Sequence, residues 1–160
     1  MKKVSILFFS LLLVSGLSFA QSNKEDVDII QSVLGKEKKA LVGDFLKLPA
    51  GPQTDAFWKL YDEYETERKA LGKQRIALLE KYASTYGTTD DAQMDQQIKE
   101  MQSLQGKTDK LIIKYYDKIK KGSGVKTAAQ FYQLEAYFLS VIRATLLNSI
   151  PFIGELNEKW

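Results

Sequence analysis

The sequence predicts an all-α protein built on an elongated antiparallel helical hairpin, two long helices with a shorter helix before and after. Three observations carry this expectation. Apolar residues recur at helical spacing, with no alternating strand pattern of useful length. Helix-breaking residues are few and grouped, at Pro49, Gly51 and Pro52, at Tyr86-Gly87-Thr88-Thr89, and at Gly122-Ser123-Gly124. The two segments between these groups each exceed thirty residues, about 45 to 50 Å of helix at 1.5 Å per residue.

The first helix is expected from about Lys24 to Leu46, with Val27, Ile30, Val33 and Leu34 on one stripe and Leu41, Phe45 and Leu48 continuing it. Gly35 lies inside this span and weakens it, because glycine costs about 1 kcal/mol against alanine in a helix. The second helix starts at Pro52, a favoured first-turn residue, and continues to Tyr86. The third runs from about Asp90 to Lys121, with Thr88 and Asp91 at capping-box spacing and Asp90 adding charge at the positive helix end.

These two long helices carry matching seams. Phe57, Tyr61, Tyr64, Arg68, Leu71, Arg75, Leu78 and Tyr82 follow coiled-coil spacing on one. Met94, Ile98, Met101, Gln105, Thr108, Ile112, Tyr115 and Ile119 do so on the other. A tight turn at Gly87 and Thr88 pairs positions whose numbers sum to about 175. The middle of the seam is polar. Either Arg68 and Arg75 cover its edge with their methylene stems and send their guanidinium groups to water, or the hairpin splays there into a mixed basic and apolar surface.

The fourth helix is expected from about Lys126 to Ser149, before Pro151. Phe131, Leu134, Phe138, Val141, Ile142 and Thr145 form one stripe, widened by Tyr132, Tyr137, Leu139, Leu146 and Leu147. So wide an apolar surface belongs to a helix covered on several sides or lying in an oligomer interface. Glu135 and Arg143, separated by seven uncharged residues, exclude a membrane span.

The opening MKKVSILFFSLLLVSGLSFAQ places Lys2 and Lys3 before a short apolar run that ends in Ser18-Phe19-Ala20. This is the pattern of a cleavable signal peptide over residues 1–20, cut before Gln21, and it leaves one all-helical domain over 21–160. No stable membrane insertion is expected after cleavage. The chain is expected to be exported to the periplasm of a Gram-negative cell. Without Lys2 and Lys3, 21 basic residues face 20 acidic ones, and a net +1 makes no electrostatic case for nucleic acid.

The sequence has no Cys and no His. Helix packing or oligomerisation must then replace disulfides, and the usual ligands of zinc, nickel, copper and haem are missing. Carboxylates, Met94 and Met101 are scattered, so no metal and no cofactor is expected. Nucleophilic and general acid-base catalysis need convergent groups that are not recognisable here. The acids Asp62, Glu63, Glu65 and Glu67 read as the wet face of a helix, and the protein is expected not to be an enzyme.

Two segments are alike, FWKLYDEY from Phe57 to Tyr64 and FYQLEAYF from Phe131 to Phe138. With the whole stretch from Ala56 to Tyr86, the segment AAQFYQLEAYF from Ala128 to Phe138 and the closing SIPFI from Ser149 to Ile153, the chain resembles small exported helical proteins of the periplasmic Spy and CpxP group, which includes envelope-stress and heavy-metal-resistance proteins. Members of that group carry paired LTxxQ motifs. Here Thr127 and Gln130 match TxxQ, while Lys126 holds the leucine position. The same pair also fits a capping box, with Ser123 as a rival cap.

The resemblance implies a noncatalytic chaperone or stress protein that shields exposed segments of unfolded envelope proteins. The candidate contact residues are Phe57, Trp58, Tyr61, Arg68 and Arg75 in the second helix and Phe131, Tyr132 and Tyr137 in the fourth. The alternative is a structural or assembly protein, whose aromatic stripes are consumed by internal packing and by a homodimer or one specific envelope partner. A metal-linked sensor is a third class that the resemblance admits.

Overall fold

The computed structural model describes residues 26–157, so the expected signal peptide over 1–20, its expected cleavage site and the expected start of the first helix at Lys24 lie outside the described residues. Among the described residues there are six helices and no strand: α1 Asp26–Leu34, α2 Lys38–Leu46, α3 Pro52–Thr85, α4 Asp91–Ser123, α5 Val125–Leu147 and α6 Ile153–Asn157. The long hairpin is α3 and α4, of 34 and 33 residues.

Four expected helices become six for two local reasons. Gly35 takes φ +69°, a conformation open to glycine and poor for other residues, and ends the expected first helix there. Lys36 then pairs with Asp44 across the bend. At the other end, Pro151 stops α5 and Phe152 takes φ +70°, which turns the chain into the short α6.

Both expected caps are corrected. Asp90 caps α4, its Oδ1 accepting from the Gln93 N–H at 2.8 Å, so Thr88 and Asp91 form no box. The third break shrinks to one residue, Gly124, with φ +92°. Because α5 starts at Val125, Thr127 already lies inside the helix and caps nothing, and the Ser123 hydroxyl instead donates to the Gln53 carbonyl at 2.7 Å. Gly122, still helical, faces Leu60 and Ala56.

The hairpin register is also shifted. The ion pairs Glu67–Lys114, Glu63–Lys118 and Lys81–Glu100 join positions whose numbers all sum to 181, not 175. The cause is the connection, in which Thr88 and Thr89 N–H groups still bond to the Thr85 carbonyl before Asp90 begins α4. The distal seam of α4 accordingly moves by one position, with Gln97 and Leu104 buried while Ile98 and Gln105 face water.

The core lies where α5 packs on α4 and is covered by α1 and α2. Phe57, Tyr61, Tyr64, Tyr115, Ile119 and Phe131 are fully buried. Phe131 meets Tyr61 and Tyr64 edge-on at 6.4 and 5.1 Å between ring centres. Neighbours within one chain bury Phe131, Phe138, Leu139 and Ile142 of α5, while Tyr132, Tyr137 and Leu147 on its widened apolar circumference stay exposed.

Candidate functional site

Charged side chains from four helices meet beneath α1 and α2. Lys38, from α2, is 3% exposed and donates to Glu65 at 2.6 Å and to Glu135 at 2.7 Å. Its ammonium also lies 5.3 to 5.6 Å from the ring centres of Tyr61, Tyr64 and Phe138, a cation–π arrangement. The Tyr64 hydroxyl donates to the same Glu135 oxygen at 2.6 Å.

Arg68 continues the cluster. Its Nε donates to Glu65 at 3.0 Å and its Nη1 to Asp26 at 3.3 Å. Arg75 pairs with the same Asp26 oxygen and donates to the Thr108 hydroxyl at 3.3 Å. Three cations, Lys38, Arg68 and Arg75, thus face three anions, Asp26, Glu65 and Glu135.

Gly72 makes room for this arrangement. One helical turn separates it from Arg68 on one side and about one from Arg75 on the other, and a methyl group on it would lie 2.6 Å from Asp26 Oδ2. The missing side chain is the notch that seats the Asp26 carboxylate.

Glu65, Arg68, Tyr61 and Tyr64 titrate away from their usual ranges. Burial opposes ionisation of Glu65, yet Lys38 and Arg68 outweigh it and hold the carboxyl below its usual value near 4.5. Burial likewise works against the Arg68 charge, and Glu65 and Glu135 more than restore it. Tyr61 and Tyr64 are pushed far up, first by burial and then by Glu135. Both phenols stay neutral.

A pH dependence follows from Glu65. Its folded pKa is below the unfolded value, so its contribution to stability is complete above about pH 4.5 and is lost as pH falls from there through the lower folded value. Urea titrations should show a midpoint that falls below pH 4.5, with a shallower acid limb in Glu65→Gln. Equal acid limbs in the two proteins would remove Glu65 from the account.

The candidate contact residues separate into two groups. Phe57, Tyr61 and Phe131 are core, Trp58 is partly buried with its ring against Gly43, and Arg68 and Arg75 belong to the ion cluster. The guanidinium of Arg68 therefore reaches neither water nor a splayed surface, because Asp26 and α1 cover it. Tyr132 and Tyr137 are 46% and 53% exposed. Tyr132 meets Tyr116 edge-on at 6.1 Å, and Lys120 lies 5.9 Å from the Tyr116 ring. Glu65 corrects the expectation of a wet face over Asp62, Glu63, Glu65 and Glu67, because it turns inward to Lys38 and Arg68. Asp26 and Lys38 carry no sequence signal as partners, whereas Glu135 sits in the stripe between Phe131 and Phe138, a position that signals a buried charge.

A shallow groove of about 150 Å³ lies where α5 ends against the hairpin, lined by Leu78, Leu79, Met101, Leu104, Leu146 and Leu147 with Arg75, Gln105 and Arg143. Among the described residues no group of three or more His, Cys, Asp and Glu could hold a metal ion, and no helix is long and apolar enough to cross a membrane. Fold and cluster together define an all-helical protein with a charge-neutral ionic core. No family model, no curated protein and no solved structure matches the chain.

Proposed function

We propose that this is an exported, noncatalytic helical protein of the Spy-like kind, which holds exposed segments of other envelope proteins in the periplasm. The observation that supports this best is the exposure of two tyrosines on α5: Tyr132, with Tyr116 and Lys120 beside it, and Tyr137, which points about 140° away around the helix. Tyrosines offer large contact area with a polar tip, suited to transient contact with apolar segments. Lysine adds an attraction for acidic flanks. Binding of this kind needs no cofactor.

The protein without its signal peptide is expected to suppress aggregation of a chemically denatured client at near-equimolar ratio. Tyr132→Ser with Tyr137→Ser should weaken suppression several-fold while keeping a cooperative unfolding transition. A folded wild-type protein that suppresses nothing would dismiss the proposal.

A second reading, a structural or assembly protein, draws on the burial of Phe57, Tyr61 and Phe131 in the chain's own core. It expects a stable homo-oligomer that binds no hydrophobic dye. Light scattering and dye titration on the same sample separate the two readings.

A further inference from the structure

We propose that residues 26–46, the α1–α2 segment, form a detachable strap that covers a binding surface on α3 and α5, so that the closed molecule is autoinhibited. The surface beneath is built from Tyr61, Tyr64, Phe131 and Phe138 with Arg68 and Arg75. The client it would admit rests on the binding function proposed above. The strap itself does not.

Four features single out this seam. Each strap helix has nine residues, below the length at which a helix is stable alone, so its order depends on docking. Docking buries Ile29, Ile30, Val42 and Leu46 in the core and places Asp26 and Lys38 in buried ion pairs, for whose charges water competes. The buried side-chain polar atoms that lack a partner among the described residues are Asp26 Oδ1, Tyr61 Oη and Glu135 Oε1. All three belong to residues of this seam. An opening of the seam would bring all three into contact with bulk water.

The strap also has hinges. Gly35, Lys47 and Gly51 take φ of +69°, +46° and +149°, and the segment joining α2 to α3 contains Pro49. A rotation about Lys47 to Gly51 lifts both helices without disturbing the contact of α5 with α4. In the open state the surface fits one kind of occupant, an amphipathic segment of a non-native protein that presents an acidic side chain beside branched aliphatic ones. Asp26, Ile29 and Ile30 already present that pattern to it.

Hydrogen exchange on the wild-type protein is expected to release the α1 and α2 amides through an opening at least tenfold more populated than the one that releases α4 amides near Leu111 to Ile119. A lock provides the second test in a chain without native cysteine. A Cβ on residue 72 would stand 2.9 Å from Asp26 Cγ, close to the separation of about 3 Å that a disulfide sets between one Cβ and the far sulfur. Oxidised Asp26→Cys/Gly72→Cys should bind anilinonaphthalene sulfonate several-fold less than the same protein reduced with dithiothreitol. Equal dye binding in the two states, or strap amides that exchange only together with those of α4, would overturn the strap. If exchange and dye behave as expected while no form suppresses client aggregation, the strap stands and the client-holding function falls.

Discussion

Glu135→Ala is expected to lower unfolding stability by about 3–5 kcal/mol, the usual result of removing one partner from a buried ion pair. Glu135 is 2% exposed and accepts from both Lys38 and Tyr64. Its loss leaves a buried ammonium with Glu65 alone and orphans the Tyr64 hydroxyl. Replacing both members at once, as Lys38→Met with Glu135→Leu, should recover most of the loss. That pair removes one cation and one anion together, leaving Arg68 and Arg75 opposite Asp26 and Glu65, and apolar side chains of similar volume often replace a buried pair at no net cost. Urea unfolding of the three proteins provides the measurement. A double variant no more stable than Glu135→Ala would show that the pair is not separable from the rest of the cluster.

Phe131→Ala should cost about 3–5 kcal/mol, as large aromatic-to-alanine changes in cores do. The ring is 1% exposed and meets Tyr61 and Tyr64 edge-on, so its removal leaves a space lined by rings that face one another across a gap. Tyr132→Ala, at the next residue, should cost under about 1 kcal/mol, the scale of one surface aromatic contact. Thermal or urea unfolding of both variants separates a core position from a contact position within one turn of helix. Equal losses would mean that Tyr132 is held as firmly as Phe131.

That contrast also marks what the sequence makes legible. The apolar period and the sparse breakers at Pro52, Gly87 and Gly124 suffice for the hairpin, because local geometry decides helix and turn. On α5 the sequence points Phe131 and Tyr132 about 100° apart, yet both stand as candidate contacts, because spacing does not show which direction another helix covers; only Phe131 is buried. Register is different. Whether the turn after Thr85 adds one more helical carbonyl bond is decided within a few residues, yet it moves every pair across the seam.

The ionic cluster lies further out of reach. Arg68 alone reads as an edge residue whose head finds water. Its partner Asp26 is 42 positions away, and Lys38 and Glu135 are 97 apart. Among the described residues Glu65, three residues before Arg68, is the one local partner in the cluster. Only a fold that brings α1, α2, α3 and α5 to one point shows that these charges neutralise one another.

The same cluster sets limits on how the helices can slide. Apolar seams tolerate displacement, since one leucine packs much like the next. Moving α5 by one turn along α3 would carry Glu135 about 5.4 Å, beyond hydrogen-bond reach of both Lys38 and Tyr64. Moving α1 would lift Asp26 from the notch at Gly72, the place on α3 where a carboxylate fits between Arg68 and Arg75. Three opposed pairs of charge thereby act as pegs, selecting one alignment of helices whose apolar faces would accept several.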